Sequence, residues 1–74
     1  MNQTTIHVDG HTIHLKRARL RDMGLYDASN NPWLWWAWEY ADGERYDFAC
    51  GVATRRAALD AVEYETGLSM AVAR

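Results

Sequence analysis

Two Asp-Gly dipeptides, Asp9-Gly10 and Asp42-Gly43, each lie between runs in which apolar and polar residues alternate. Alternation with a period of two is typical of a β-strand with one buried face, and Asp-Gly tolerates the positive φ angles of a tight hairpin turn. The sequence therefore predicts two antiparallel hairpins, TTIHVDGHTIHL within a block over residues 4–21 and a second over residues 33–52, separated by a polar loop near residues 22–32.

In the first hairpin, a two-residue turn places the apolar and the polar side chains on different faces of the sheet. Val8 then faces His11 and Ile6 faces Ile13, which places the apolar side chains on one face. His7 and His14 fall on the opposite face from His11. Because zinc needs three or four converging donors, we expect these histidines to be surface residues and predict neither a metal site nor a cofactor.

The basic segment LKRARLRD follows. Its apolar residues change from the odd-numbered position of Leu15 to the even-numbered positions of Ala18 and Leu20. A regular strand would carry arginines into the core after Leu15. The shift therefore predicts a β-bulge or strand break near Lys16-Arg17.

The second hairpin is WLWWAWEYADGERYDFACGV, and it sorts by polarity if Ala41-Asp42-Gly43 forms a three-residue loop. Glu39 then pairs with Arg45. The predicted core face carries Leu34, Trp36, Trp38, Tyr46, Phe48, Cys50 and Val52. Trp33 and Trp35 turn to the other face, beside Ala49 and Gly51.

A helix is predicted from Arg55 to Thr66, because Thr54 is a good N-cap and Gly67 sits where a helix-ending glycine belongs. Its apolar stripe consists of Ala58, Leu59, Ala61 and Val62. The tail LSMAVAR either adds a helical turn or forms an edge strand. The predicted fold class is α+β: one domain over residues 1–74, with a four-stranded antiparallel sheet of two hairpins and one C-terminal helix packed on the aromatic face.

Composition excludes several classes of protein. The 74 residues are 49% hydrophobic and include four Trp, four Tyr and one Phe, unlike a disordered chain. The single cysteine, Cys50, excludes an intramolecular disulfide, and no apolar run approaches the ~20 residues of a membrane span. With no secretory signal in MNQTTIHVDG, we expect a cytoplasmic protein that does not bind membranes.

We expect no enzymatic activity. In the predicted register Cys50 points into the core, which favours a structural thiol over a nucleophile. The sequence contains no serine triad and no glycine-rich phosphate loop.

Trp33 and Trp35 are the first candidate contact residues, because tryptophan is enriched at binding hot spots. They lie in an open trough unless the loop or the tail covers them, with Leu25 or Met70 as the covering side chain. A homodimer that shares the patch is a further alternative.

Basic residues supply the other candidates: Lys16, Arg17, Arg19, Arg21, Arg55 and Arg56. The first four either track phosphates of a nucleic acid, with a tryptophan stacking on bases, or protect a solvated strand edge. The last two occupy the first helical turn, where the helix dipole disfavours cations, which indicates that they face a partner or an acidic neighbour.

The order of WLW, Asp-Gly, GVAT and an alanine-rich helix, between Trp33 and Ala61, resembles the hairpin–helix ending of small accessory proteins of bacteriophages and mobile elements, including some anti-CRISPR inhibitors. The resemblance covers under half the chain. It implies a non-catalytic inhibitor that occludes a surface of a host protein in the host cytoplasm. The net charge of −2 differs from that of strongly acidic DNA mimics. A nucleic-acid-binding accessory protein and a homodimeric structural protein are the alternatives.

Overall fold

The computed structural model describes residues 3–19 and 33–73. Four strands, β1 (Gln3–Val8), β2 (His11–Arg19), β3 (Trp33–Ala41) and β4 (Glu44–Val52), form an antiparallel sheet in the order β1-β2-β3-β4. Helix α1 (Arg55–Thr66) follows, and a short 3-10 turn covers Ala71–Ala73. The predicted α+β fold, with two hairpins and one C-terminal helix, is confirmed.

The first hairpin has the predicted two-residue turn. Asp9 and Gly10 have φ angles of 47° and 79°, the positive values of a type I′ turn. Val8 pairs with His11 and Ile6 pairs with Ile13. His11 therefore lies on the face of Val8, and the other two histidines lie on the opposite face, as predicted.

The predicted bulge near Lys16-Arg17 is wrong, because β2 runs regularly to its end. It pairs residue for residue with β3 from His14–Trp38 to Arg19–Trp33. Ala18 is buried on the face opposite Leu15, across from Leu34. The apolar residues Leu15 and Ala18 thus lie on opposite faces of β2, and the backbone stays in register.

The predicted register of the second hairpin is also wrong. Asp42 and Gly43 alone form the turn, with φ angles of 54° and 81°, so Tyr40 pairs with Arg45 and Trp38 pairs with Asp47. The predicted Glu39–Arg45 pair does not form, because Glu39 lies opposite Tyr46.

Two irregularities in β4 then change the pairing. The partner of Trp38 is Asp47 but the partner of Ala37 is Ala49, so Phe48 is an extra residue. The partner of Trp36 is Cys50 but the partner of Trp35 is Val52, so Gly51 is a second extra residue, with φ 74°. Such bulges let two residues of one strand oppose one of its partner.

These irregularities and the shorter turn reverse the predicted faces of β3. Trp35 packs against the core cluster, and Ala37 is fully buried within it. Trp36 and Trp38 lie on the opposite face, and so does Leu34. On β4, Phe48 and Val52 pack against the core as predicted, but Tyr46 is 57% exposed.

Helix α1 begins and ends where the sequence predicts. The Thr54 hydroxyl accepts a hydrogen bond from the Ala57 amide at 3.1 Å, and the Gly67 amide, at φ 73°, donates to the Glu63 carbonyl at 2.8 Å. These bonds satisfy backbone groups that would otherwise lack partners at the helix ends. The helix buries Ala58, Leu59 and Val62 against the sheet, and Ala61 packs against the same cluster.

The tail crosses the core after the helix. Met70 is fully buried, its amide donates to a Glu63 carboxylate oxygen at 2.8 Å, and a 3-10 turn follows. The tail therefore covers the face that carries Trp35, which was one of the two alternatives. The core cluster consists of Ile6, Ile13, Leu15, Ala37, Ala58, Leu59, Val62 and Met70.

Three sequence predictions lie outside what the structure describes. They are the polar loop with its candidate covering residue Leu25, the contact role of Arg21, and the burial of the Cys50 side chain.

Candidate functional site

We call the sheet face that carries Trp36 and Trp38 the outer face, and the face under the helix the core face. Within residues 3–19 and 33–73, no helix packs on the outer face. Strand alternation brings together there side chains from all four strands. They include Gln3, His14, Lys16, Trp36, Trp38, Tyr40, Arg45 and Asp47.

Asp47 joins two of these side chains. One of its carboxylate oxygens accepts a hydrogen bond from the Trp36 indole at 2.9 Å and another from the Arg45 guanidinium at 3.0 Å. Trp36, which is half-buried, is therefore fixed by its polar edge.

Trp38 is held through its ring. The His14 imidazole stacks on it, with ring centroids 5.5 Å apart and planes inclined by 27°. The Arg45 guanidinium carbon lies 4.6 Å from the centre of the Trp38 ring, within the range of a cation–π contact. Tyr40 meets His14 edge-on at 6.3 Å.

The two tryptophans line a depression of about 320 Å³ on the outer face. Ala18 lies in its lining, and Lys16 and Arg45 bring positive charge to it. A concave patch with aromatic walls and a few polar groups is typical of a binding site.

The predicted contact residues Trp33 and Trp35 do not belong to this site. Trp35 packs against the core, and Trp33, two residues before it, lies on the same side of β3. The guanidinium carbons of Arg17 and Arg19 lie 5.4 and 4.7 Å from the centre of the Trp33 ring. These two arginines and Trp33 form a separate cluster on the core face.

The predicted basic cluster is therefore divided between the two faces. Lys16 is exposed on the outer face, whereas Arg17 and Arg19 point to the other side of β2 because the strand is regular. Arg55 donates to the Ala73 carbonyl at 2.8 Å, so its neighbour is the chain's own tail. Arg56 is exposed.

The histidines also separate. His11 binds a Glu39 carboxylate oxygen at 2.9 Å on the core face, and His14 contacts Trp38 on the outer face. Among the described residues, no group of three or more His, Cys, Asp or Glu side chains is placed to hold a metal ion.

The sequence contains a signal for the outer face that polarity sorting missed. Under the two-residue turn, Trp38 opposes Asp47 and Tyr40 opposes Arg45, and an aromatic opposite a charge looks unfavourable for a buried face. In the structure the two charged side chains instead contact the tryptophans diagonally across the strands: Asp47 accepts from the Trp36 indole, and Arg45 lies over the Trp38 ring.

Comparisons with protein-family models, curated proteins and solved structures find no match to this chain. In the described part of the chain, no helix is long and apolar enough to cross a membrane.

Proposed function

We propose that this protein is a non-catalytic module that binds another protein through the outer face. The observation that supports this most is the position of Trp36 and Trp38, side by side in a depression that the helix leaves uncovered. Tryptophan contributes large contact area with few rotatable bonds, and it is enriched among residues that dominate binding energy.

The contacts around both rings also favour binding. Asp47 fixes Trp36, while His14 and Arg45 hold Trp38 from two neighbouring strands. Side chains that are already ordered lose less conformational entropy when a partner binds. A site on paired strands is also held more firmly than one on a loop.

Charge suggests the chemistry of the partner surface. Lys16 and Arg45 flank the depression, and Asp47, the carboxylate among its described lining residues, already accepts two hydrogen bonds. A partner with an apolar centre and an acidic rim fits this arrangement.

The finer function remains a prediction from the sequence resemblance: a phage-encoded inhibitor in the host cytoplasm that occludes a host protein. Occlusion requires a stable contact and no catalytic group, which a small rigid sheet can provide.

Affinity capture with the purified protein tests the proposal. The wild-type protein should capture a partner in stoichiometric amount, and the Trp36→Ala/Trp38→Ala double variant should lose at least about tenfold of that capture. Tyr64→Ala is the matched control, because Tyr64 is an aromatic residue 87% exposed on the helix. Equal capture by the double variant, with its circular dichroism unchanged, would refute the role of the outer face.

Nucleic-acid binding remains the alternative, since aromatic rings beside Lys16 and Arg45 also suit stacked bases. Titration with labelled single-stranded DNA at low salt separates the two functions. Binding that weakens steeply with salt and drops in Lys16→Ala would favour nucleic acid. A titration that shows no binding of the DNA at low salt would exclude nucleic acid and leave protein binding as the function.

A further inference from the structure

The two edges of the sheet differ in how they are protected. β4 has two bulges, and it carries Glu44, Arg45 and Asp47. Bulges and charges are the usual devices that keep an edge strand from pairing with another chain. β1 has neither: it pairs residue for residue with β2, and its sequence QTTIHV contains no Lys, Arg, Asp, Glu or Pro.

The turn determines which backbone groups of β1 point outward. A two-residue turn makes Val8–His11 a hydrogen-bonded pair, and such pairs alternate along an antiparallel ladder. The inward-bonding residues are then Val8, Ile6 and Thr4. The amides and carbonyls of Gln3, Thr5 and His7 therefore face away from β2, along the edge.

A groove of about 410 Å³ lies beside this edge. Residues 4–7 form one wall, and Arg55, Val72 and Ala73 form the other. Val72 is 72% exposed there, although it is a large apolar side chain. A strand added to β1 would lie beside this groove.

We propose that β1 pairs antiparallel with β1 of a second copy of this chain, about a two-fold axis beside Thr5. The sequence of β1 is compatible with antiparallel pairing to the same strand of a second copy. Around that axis Thr5 opposes Thr5 and Gln3 opposes His7, so the residues with outward backbone groups exchange their hydrogen bonds. No two like-charged Lys, Arg, Asp or Glu side chains meet, because β1 contains none.

This pairing joins the two sheets into one and places both outer faces on the same side. A dimer would present two copies of the Trp36–Trp38 depression to a partner, which raises avidity for any target with repeated sites. The pairing itself does not depend on the proposed function, because it uses the edge of β1 and none of the outer-face tryptophans.

Hydrogen exchange of the wild-type protein tests the pairing without any mutation. The amides of Gln3, Thr5 and His7 should exchange at least about tenfold more slowly at millimolar than at low micromolar concentration. The mass measured by light scattering should rise to that of two chains over the same range. Edge amides that exchange at one rate throughout, with the mass of one chain, would overturn the proposal.

Two pairs of variants locate the interface. Thr5→Pro removes an outward amide and should keep the protein monomeric, since proline is tolerated on an edge strand when its nitrogen faces solvent. Thr5→Val keeps that amide and should still dimerise. Val72→Ser should weaken association, whereas Tyr64→Ser, equally apolar-to-polar but distant from the groove, should not.

The remaining outcomes are also decisive. A dimer that survives Thr5→Pro but is lost in Trp36→Ala/Trp38→Ala would place the contact on the outer face and overturn the edge pairing. A monomer whose Thr5 amide becomes protected only after a different protein is added would assign the edge to that protein instead. Dimerisation that the double tryptophan variant retains supports the pairing, whatever the capture experiment shows.

Discussion

Asp47 connects the two tryptophans of the outer face although it touches only one of them. Its carboxylate accepts from the Trp36 indole, and it also accepts from Arg45, whose guanidinium lies over Trp38. One carboxylate therefore positions both rings. Because the Asp47 and Arg45 side chains are 34% and 44% exposed, their ion pair adds little to stability and serves mainly to orient the rings.

Replacing Asp47 tests separately whether its carboxylate orients the Trp36 ring and how much it contributes to the free energy of unfolding. Asp47→Ala should lower the free energy of unfolding by less than about 1 kcal/mol, as expected for an exposed pair. The Trp36 indole proton should exchange with water faster, because it loses its acceptor. Urea denaturation and the NMR signal of that proton measure the two effects.

Glu44→Ala is the matched control, since Glu44 is an exposed carboxylate at the start of the same strand. It should change neither quantity. An unchanged Trp36 indole signal in Asp47→Ala would show that the hydrogen bond does not hold the ring.

At the scale of elements, the sequence predicts the strand pairing of the first hairpin correctly, whereas it predicts a bulge in β2 that the regular β2–β3 ladder does not contain. In the first hairpin alternation alone predicts which residues face each other. The bounds of α1 follow from Thr54 and Gly67, since both caps act within a single turn of helix.

In the second hairpin, alternation does not predict the pairing, because β4 contains two bulges. Phe48 and Gly51 each add one residue to β4, and each addition shifts every later pair by one. Separating polar from apolar side chains on the two faces assumes a ladder without bulges. Under that assumption a three-residue turn gives the better separation, and it places Trp35 and Trp36 on the wrong faces. Nothing local in the sequence marks Phe48 as a bulge.

Gly51 offers a test of the second bulge. Alanine at this position must adopt φ 74°, and its Cβ would lie 3.3 Å from the Leu34 Cδ1. We expect Gly51→Ala to lower the free energy of unfolding by about 1–2 kcal/mol for the backbone alone, plus the cost of moving Leu34.

Gly43→Ala isolates the backbone cost, because Gly43 has φ 81° and an added Cβ meets nothing within 4 Å. Thermal or urea unfolding of both variants gives the comparison. The bulge is contradicted if Gly51→Ala is less destabilising than Gly43→Ala.

At the scale of the whole molecule, the tail completes the core. Met70 fills it from the end of the chain, and the Arg55 bond to the Ala73 carbonyl fastens the tail to the start of the helix. The segment LSMAVAR has no periodic pattern, so the sequence alone does not predict its structure. Its position depends on the space that the sheet and helix leave, which only the assembled fold defines.

Met70→Ala should therefore be among the most destabilising single changes. Truncating a fully buried methionine costs about 2–5 kcal/mol, a large share of the stability of a domain of this size. Val72 lies two residues later and is 72% exposed, so Val72→Ala should change the free energy of unfolding by less than about 0.5 kcal/mol. Chemical denaturation measures both, and equal effects would show that the tail does not close the core.

The proposed binding face depends most on which tryptophans face the helix, and cross-strand NOEs measure this directly. We predict NOEs from the Trp38 indole to the His14 ring, and from the Trp35 indole to methyl groups of the buried cluster. NOEs from Trp36 or Trp38 to the methyl groups of Leu59 and Val62 would contradict the account, because the proposed binding face would then lie under the helix.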